Sequence, residues 1–221
     1  ALLDGVWELN EGQYFSEFSR DLHVVKPYAI PHDWRRCLTI DYGLDMLAAL
    51  WIAQSPDGHS VVYRELYRPG LIISDAAAQM LACETAGEHI DCRLAPPDLW
   101  NRRQETGRSA VELFADSGLD FVKSSNERVA GWLALHELLM PRKDTDGAVR
   151  PRLTIFDTCH NLIRTLPALQ HDKRNPSDTA NTPHELTHAP DALRGYAATV
   201  YEPVKAMPQS AYDCEVGEFL R

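Results

Sequence analysis

A chain of 221 residues with 44% hydrophobic and 24% charged side chains has the balance of a globular domain, which excludes fibrous and disordered classes. Its formal net charge of −10 excludes a broadly basic surface, so contact with a polyanion would need local basic residues or carboxylates neutralised by cations. The 5 dispersed cysteines, with no Cys-x-x-Cys pair, speak against a disulfide scaffold or zinc ribbon, and the chain shows neither a long apolar run nor a basic leader, so a reducing cytoplasm is expected.

Residues 1–35 contain Trp7, Tyr14, Phe15, Phe18, Tyr28 and Trp34 and end near Pro27 and Pro31, which predicts an extended arm with short strands. Residues 37–41, 46–52 and 60–67 then read as strands. The breaks at Tyr42-Gly43 and Pro56-Asp57-Gly58 join them into an antiparallel meander. Ile73, Ala76, Ala77, Met80 and Leu81 share one helical face, predicting a helix capped near Ser74 and broken by Gly87. Residues 90–94 predict a short buried strand that ends at Pro96-Pro97-Asp98.

Ser109 followed by Glu112 forms a capping box that opens a helix running to about residue 117. Residues 119–122 predict a strand, and Asn126 caps a helix whose apolar stripe is Val129, Trp132, Leu133, His136, Leu139 and Met140. A hairpin tip or loop over 141–150, a strand over 152–156 and a short helix over 158–166 follow. Residues 171–187 almost lack large apolar side chains and predict a long loop leading to a helix over 188–200. The tail after Pro203 shows no period.

The chain contains no phosphate-binding glycine loop, no Gly-x-Gly-x-x-Gly, no nucleophile elbow and no His-Glu-x-x-His, which speaks against an NTPase, a nicotinamide enzyme, a serine hydrolase and a zincin. What remains is a set of acids at element ends. Asp41 closes an apolar strand, where a charge either begins the Asp-Tyr-Gly turn or points into a site. Asp98 follows a buried strand, where it either makes a Pro-Pro-Asp turn or stands at the ligand-binding end of a sheet. Asp191 lies in the first turn of the last helix, where it either stabilises the helix dipole or reaches a ligand. Glu65 ends the third strand, and Glu185 and His188 stand at the junction before the last helix, as surface groups or as auxiliary groups of such a site.

The order of elements is more informative than any one acid. A meander with Asp on its first strand, then helix, strand and Asp, then a final helix bearing Asp, is the arrangement of RNase H-like nucleases. The expected fold is therefore α/β: a mixed sheet, an antiparallel three-strand meander plus parallel strands, flanked by helices. In that fold carboxylates meet to bind two divalent ions, and hard oxygen donors suit Mg²⁺ or Mn²⁺.

Several segments strengthen this reading: Asp4-Gly5-Val6-Trp7, His23-Val24-Val25, Ile30-Pro31-x-x-Trp34, Thr39-Ile40-Asp41-Tyr42-Gly43, Tyr63-Arg64-Glu65-Leu66-Tyr67, Ala95-Pro96-Pro97-Asp98-Leu99-Trp100, Asn126-x-Arg128-Val129-x-Gly131-Trp132 and Asp191-Ala192-Leu193-Arg194. In this order they resemble the C-terminal, nuclease half of tailed-phage terminase large subunits. The resemblance implies a metal-dependent endonuclease that cuts concatemeric double-stranded DNA during packaging in the host-cell cytoplasm. It implies Asp41, Asp98 and Asp191 as the catalytic, metal-binding carboxylates, with Glu65, Glu185 and His188 auxiliary. Many relatives place the second acid directly before the proline of an Ala-Asp-Pro motif, where this chain has Pro96. The implied organisation is an arm or linker over 1–35 from an absent ATPase domain, a nuclease domain over 36–203 and a tail over 204–221. The implied partners are DNA, that ATPase domain, the small terminase subunit and the portal protein.

The basic residues expected to border the site are Arg102, Arg103, Arg108, Lys123 and Arg128, with Arg150, Arg152, Lys173 and Arg174 further along. Without a phosphate loop this chain is expected to have no ATPase activity of its own. Two other readings stay open: a non-catalytic module that docks DNA or the portal, and an RNase H-like resolvase-type nuclease.

Overall fold

The structure, a computed structural model, describes residues 12–143 and 147–200. The chain runs through α1 (Arg20–His23), β1 (Val24–Val25), β2 (Arg35–Tyr42), β3 (Leu47–Gln54), β4 (Ser60–Arg68), α2 (Ile73–Cys83) and β5 (Cys92–Ala95). After a 3-10 turn at Pro97–Trp100 come α3 (Ala110–Asp116), β6 (Val122–Lys123), α4 (Arg128–Leu139), β7 (Arg142–Lys143), β8 (Val149–Arg150), β9 (Leu153–Phe156), α5 (His160–Thr165) and α6 (His188–Val200). Seven strands make one mixed sheet in the order β1-β9-β4-β3-β2-β5-β6, and β7-β8 form a separate hairpin.

The meander is the expected one. β2 pairs antiparallel with β3, and β3 with β4 across a bulge at Trp51/Ile52. β3 sits in the middle and is buried from Leu47 to Ala53, so its sequence is continuously apolar instead of alternating. β5 and β9 add in parallel to β2 and β4, as strands reached through helical crossovers do. Helices cover both faces. Tyr42 packs edge-on against Phe114 of α3 on one face, whereas Thr39 donates a 2.8 Å hydrogen bond to the Ala192 carbonyl of α6 on the other. α6 is fixed again where the Tyr196 and Ser60 hydroxyls hydrogen bond at 2.9 Å.

The capping box at the start of α3 is present, with the Ser109 side chain and Glu112 bonded reciprocally, and α6 occupies the range expected after the long polar loop. Other expectations change. The part of the 1–35 arm within the described residues is built into the domain: Tyr14, Phe15 and Phe18 are buried, and β1 pairs with β9. Phe15 packs 5.9 Å from the Trp132 ring and 4.6 Å from the His136 ring, so these aromatics close the far side of α4. Ser74 does not cap α2; the extended residue before the helix is Ile72, with no side-chain cap. The strand expected over 119–122 shrinks to β6, because only there does the chain lie opposite Leu94 and Ala95 of β5.

The stripe of α4 is also rephased. Leu133 and Met140 are exposed, and Gly131, Ala134, Leu135 and Leu138 join Trp132 and Leu139 in the core, because the helix is covered by α6 and the N-terminal aromatics together. Its N-cap is Glu127, one residue after the expected Asn126. The long polar segment over 171–187 is a loop held by bridges such as His171 to Thr179 and by a 3-10 turn at His184–Leu186. The tail over 204–221 lies outside the described residues.

Candidate metal centre

Strand parity decides what Asp41 faces. Residues two apart on a strand share a face, so the face on which Thr39 bonds α6 also carries Asp41. Asp41 ends β2 next to the end of parallel β5, the edge where open α/β sheets place ligands. There its Oδ2 accepts a 2.8 Å hydrogen bond from Nδ1 of His188, the first residue of α6. One turn on, Asp191 projects from the same helix end.

Burial is the largest influence on Asp41 and pushes its carboxyl above the ordinary range, the neighbouring charges of Asp191 and Asp98 push it further, and the His188 hydrogen bond opposes both. His188 responds inversely, because the bond to Asp41 raises its pKa against the effect of burial. Asp98, from the 3-10 turn after β5, and Asp191, from α6, each act on the charge of Asp41, although the ligand atoms of the three acids do not all lie within 4.8 Å of one another. Asp98 is the exposed member. A carboxyl that resists charging amid other carboxyls is relieved by a bound cation, and an all-oxygen set of this kind fits a hard divalent ion.

Asp191 is positioned by two guanidiniums. Arg128 Nη1 and Arg194 Nε each donate to its Oδ1 at 3.0 Å. Arg128 also donates to both oxygens of Asp178 at 3.1 Å and to Thr179 and Asn181, while the Trp132 indole donates to Asp178 at 2.8 Å. Both guanidiniums lie 5.4 Å from the Trp132 ring. Arg128, expected as a DNA contact, is thus occupied in holding the loop over 171–187 and Asp191.

The other basic candidates flank Asp98. Lys123 sits 5.4 Å from the Trp100 ring, Arg102 is exposed and reaches Glu112 at 3.3 Å, and Arg108 donates to the Glu112 carbonyl and pairs with Asp116 at 2.6 Å. Arg103 is exposed and closes the same loop through its backbone bond to Arg108. Glu65 caps α5: its carboxylate accepts from the Asn161 amide at 3.0 Å, the Asn161 side chain at 2.8 Å and the Leu162 amide at 2.7 Å. Glu185 is exposed, and its carbonyl accepts from the Tyr67 hydroxyl.

Two participants escaped the sequence reading. Asp45 lies in the turn after β2, and His184 in the loop before α6, and both approach His188. The spacing of His184 and His188, four apart ahead of an acidic helix start, is the signal in the sequence that points to the histidine pair.

The fold is shared with solved structures of phage large terminases and of their nuclease domains. Among solved structures, the chain is similar to a large terminase from a thermophilic bacteriophage in complex with ADP (TM-score 0.67, 14% identity, 86% of this chain and 45% of that one). It is also similar to the P22 large terminase nuclease domain (TM-score 0.66, 16% identity, 85% and 92% covered). A third similar structure is the large terminase nuclease from thermophilic phage G20c with bound magnesium (TM-score 0.55, 14% identity, 87% and 99% covered). The chain spans less than half the length of the ADP-bound terminase and nearly all of the isolated nuclease domains. At these identities the likeness is one of fold. No protein-family model and no curated protein sequence matches the chain.

Proposed function

We propose that this chain is the nuclease domain of a phage large terminase, an endonuclease that hydrolyses double-stranded DNA with two Mg²⁺ or Mn²⁺ ions during genome packaging. The observation that supports this reading is the position of Asp41 at the C-terminal end of β2 against the start of α6, which bears Asp191, with burial and the charges of Asp191 and Asp98 holding the Asp41 carboxyl above its ordinary range. The fold shared with terminase nuclease domains supports it, as does the description of the G20c nuclease with bound magnesium.

Asp41 would be the central ligand, with Asp191 and Asp98 completing the set from either side. Two ions held by these carboxylates would supply an activated water and neutralise charge on the leaving 3′ oxygen. Arg128 and Arg194 hold Asp191 in place, and the Thr39 bond to Ala192 sets the depth of α6 against β2. His188 keeps Asp41 oriented through Nδ1. Arg102, Arg103 and Lys123, on the Asp98 side, would take the phosphate backbone, and their local charge offsets the net −10 of the chain.

The DNA, the ATPase domain, the small subunit and the portal are the partners this reading assigns. Incubation of supercoiled plasmid with the purified chain and Mn²⁺ tests it. Cleavage is expected for the native chain and loss of cleavage for Asp98→Asn; equal nicking by both proteins would reject the assignment.

A further inference from the structure

We propose that Asp45, His184 and His188 form a second cation site beside the carboxylate centre, one that takes a first-row transition ion such as Zn²⁺ in preference to Mg²⁺. Each side chain offers one ligand atom, and these atoms lie within 4.8 Å of one another. Asp45 Oδ2 is 3.1 Å from His184 Nδ1 and 3.3 Å from His188 Nε2. A tetrahedral ion with bonds of about 2.0–2.1 Å spaces its ligand atoms by about 3.3 Å, so both separations have the length of a tetrahedron edge. The two imidazoles stand 4.5 Å apart at 86°, an arrangement in which neither ring stacks on the other.

The placement of His188 adds an independent reason. Its Nδ1 is hydrogen-bonded to Asp41 Oδ2 at 2.8 Å, and this directs the other ring nitrogen, Nε2, to a point 3.3 Å from Asp45 Oδ2. A carboxylate that fixes one imidazole nitrogen and turns the other toward an ion is the usual support of a metal-binding histidine.

The surroundings suit an ion that enters from solvent. The side chains of His184 and Asp45 are 66% and 57% exposed, while that of His188 is only 5% exposed and rigidly placed by α6. A Cβ at residue 43 would collide with Asp45 Oδ1, so Gly43 is what allows this carboxylate to fold back toward the histidines. Two imidazole nitrogens and one carboxylate favour Zn²⁺, Co²⁺ or Ni²⁺ over Mg²⁺, and three protein ligands leave a fourth position open. Nothing in this site requires the chain to cut DNA.

Calorimetric titration of the tag-free, metal-stripped chain with Zn²⁺ and with Mg²⁺, together with visible absorption of the Co²⁺ form, tests the proposal. The native chain should bind one Zn²⁺ at least about 100-fold more tightly than Mg²⁺ at this site and show the intense bands of tetrahedral Co²⁺. His184→Ala, at an exposed loop position, should weaken Zn²⁺ by about 10-fold or more, and Asp98→Asn should leave it unchanged while abolishing DNA cleavage. Equal Zn²⁺ affinity in the native chain and His184→Ala, or a Zn²⁺ affinity no greater than that for Mg²⁺, would overturn it. Loss of cleavage without loss of Zn²⁺ separates failure of the nuclease reading from failure of this one.

Discussion

His188 and Asp41, 147 positions apart in sequence, share a 2.8 Å hydrogen bond that ties the first residue of α6 to the end of β2. Because Asp41 is held above its ordinary pKa by burial and by Asp191 and Asp98, its negative charge is a cost to the metal-free fold. Asp41→Asn keeps an oxygen acceptor for His188 and removes that charge. Thermal unfolding in EDTA should therefore show an unchanged or higher Tm, while Mn²⁺-dependent cleavage falls by about 100-fold or more. A clear fall in Tm would show that the charge stabilises the fold instead.

Arg128 binds Asp178 and Asp191 together, with its side chain only 30% exposed. Arg128→Ala takes the shared guanidinium from two largely buried carboxylates, leaving Asp191 with Arg194 alone and Asp178 with the Trp132 indole and the Thr179 amide. Breaking a fully buried pair costs about 3–5 kcal/mol, and partial exposure lowers the expectation here to about 2 kcal/mol, read from urea unfolding. Arg128→Lys should recover little, since a single ammonium cannot reproduce the guanidinium fork that spans Asp178, Asp191, Thr179 and Asn181.

Two helical glycines should respond in opposite ways. A Cβ at Gly131 would lie 2.7 Å from Arg194 Cγ and 3.1 Å from Ala198 Cβ, at the contact of α4 with α6. Arg194 cannot yield without leaving Asp191, so Gly131→Ala should destabilise by about 1–2 kcal/mol despite its better helix propensity. A Cβ at Gly195 would find its nearest neighbours at 3.4–3.6 Å, in Ser124 and Thr39, which is ordinary contact. Gly195→Ala should be neutral or stabilising by up to about 1 kcal/mol in the same urea assay.

Acid should loosen the loop over 171–187 first. Burial alone would raise the Asp178 carboxyl, but the hydrogen bonds from Arg128, the Thr179 amide and the Trp132 indole outweigh it and hold the pKa below the ordinary value. A carboxyl lowered by folding contributes stability above its unfolded pKa of about 3.9 and loses it as pH falls through the folded value. The urea midpoint should therefore drop below about pH 4, and Asp178→Asn should flatten that part of the pH profile. An unaltered profile in the variant would mean that other carboxyls dominate acid unfolding.

The meander and α6 were legible because their cues are local: apolar runs separated by turn residues between the strands, and the end of a long polar segment ahead of His188. Asp41, Asp98 and Asp191 were legible as acids at element ends, but only strand parity in the folded sheet shows that Asp41 and α6 face each other. The exposed Leu133 was misplaced because the sequence does not reveal that α4 has two covers, one of them the aromatics at Tyr14 and Phe15. Asp45 meets His184 from 139 positions away, and Arg128 meets Asp178 from 50, distances at which no periodicity gives a signal.

The central claim is that Asp41, Asp98 and Asp191 form one cation-binding pocket. A crystal of the chain soaked in Mn²⁺ and measured at the manganese absorption edge tests it most directly. Two anomalous peaks about 4 Å apart are expected, with Asp41 touching both and Asp98 and Asp191 on either side. Peaks confined to other surfaces, with these three carboxylates bare, would contradict it.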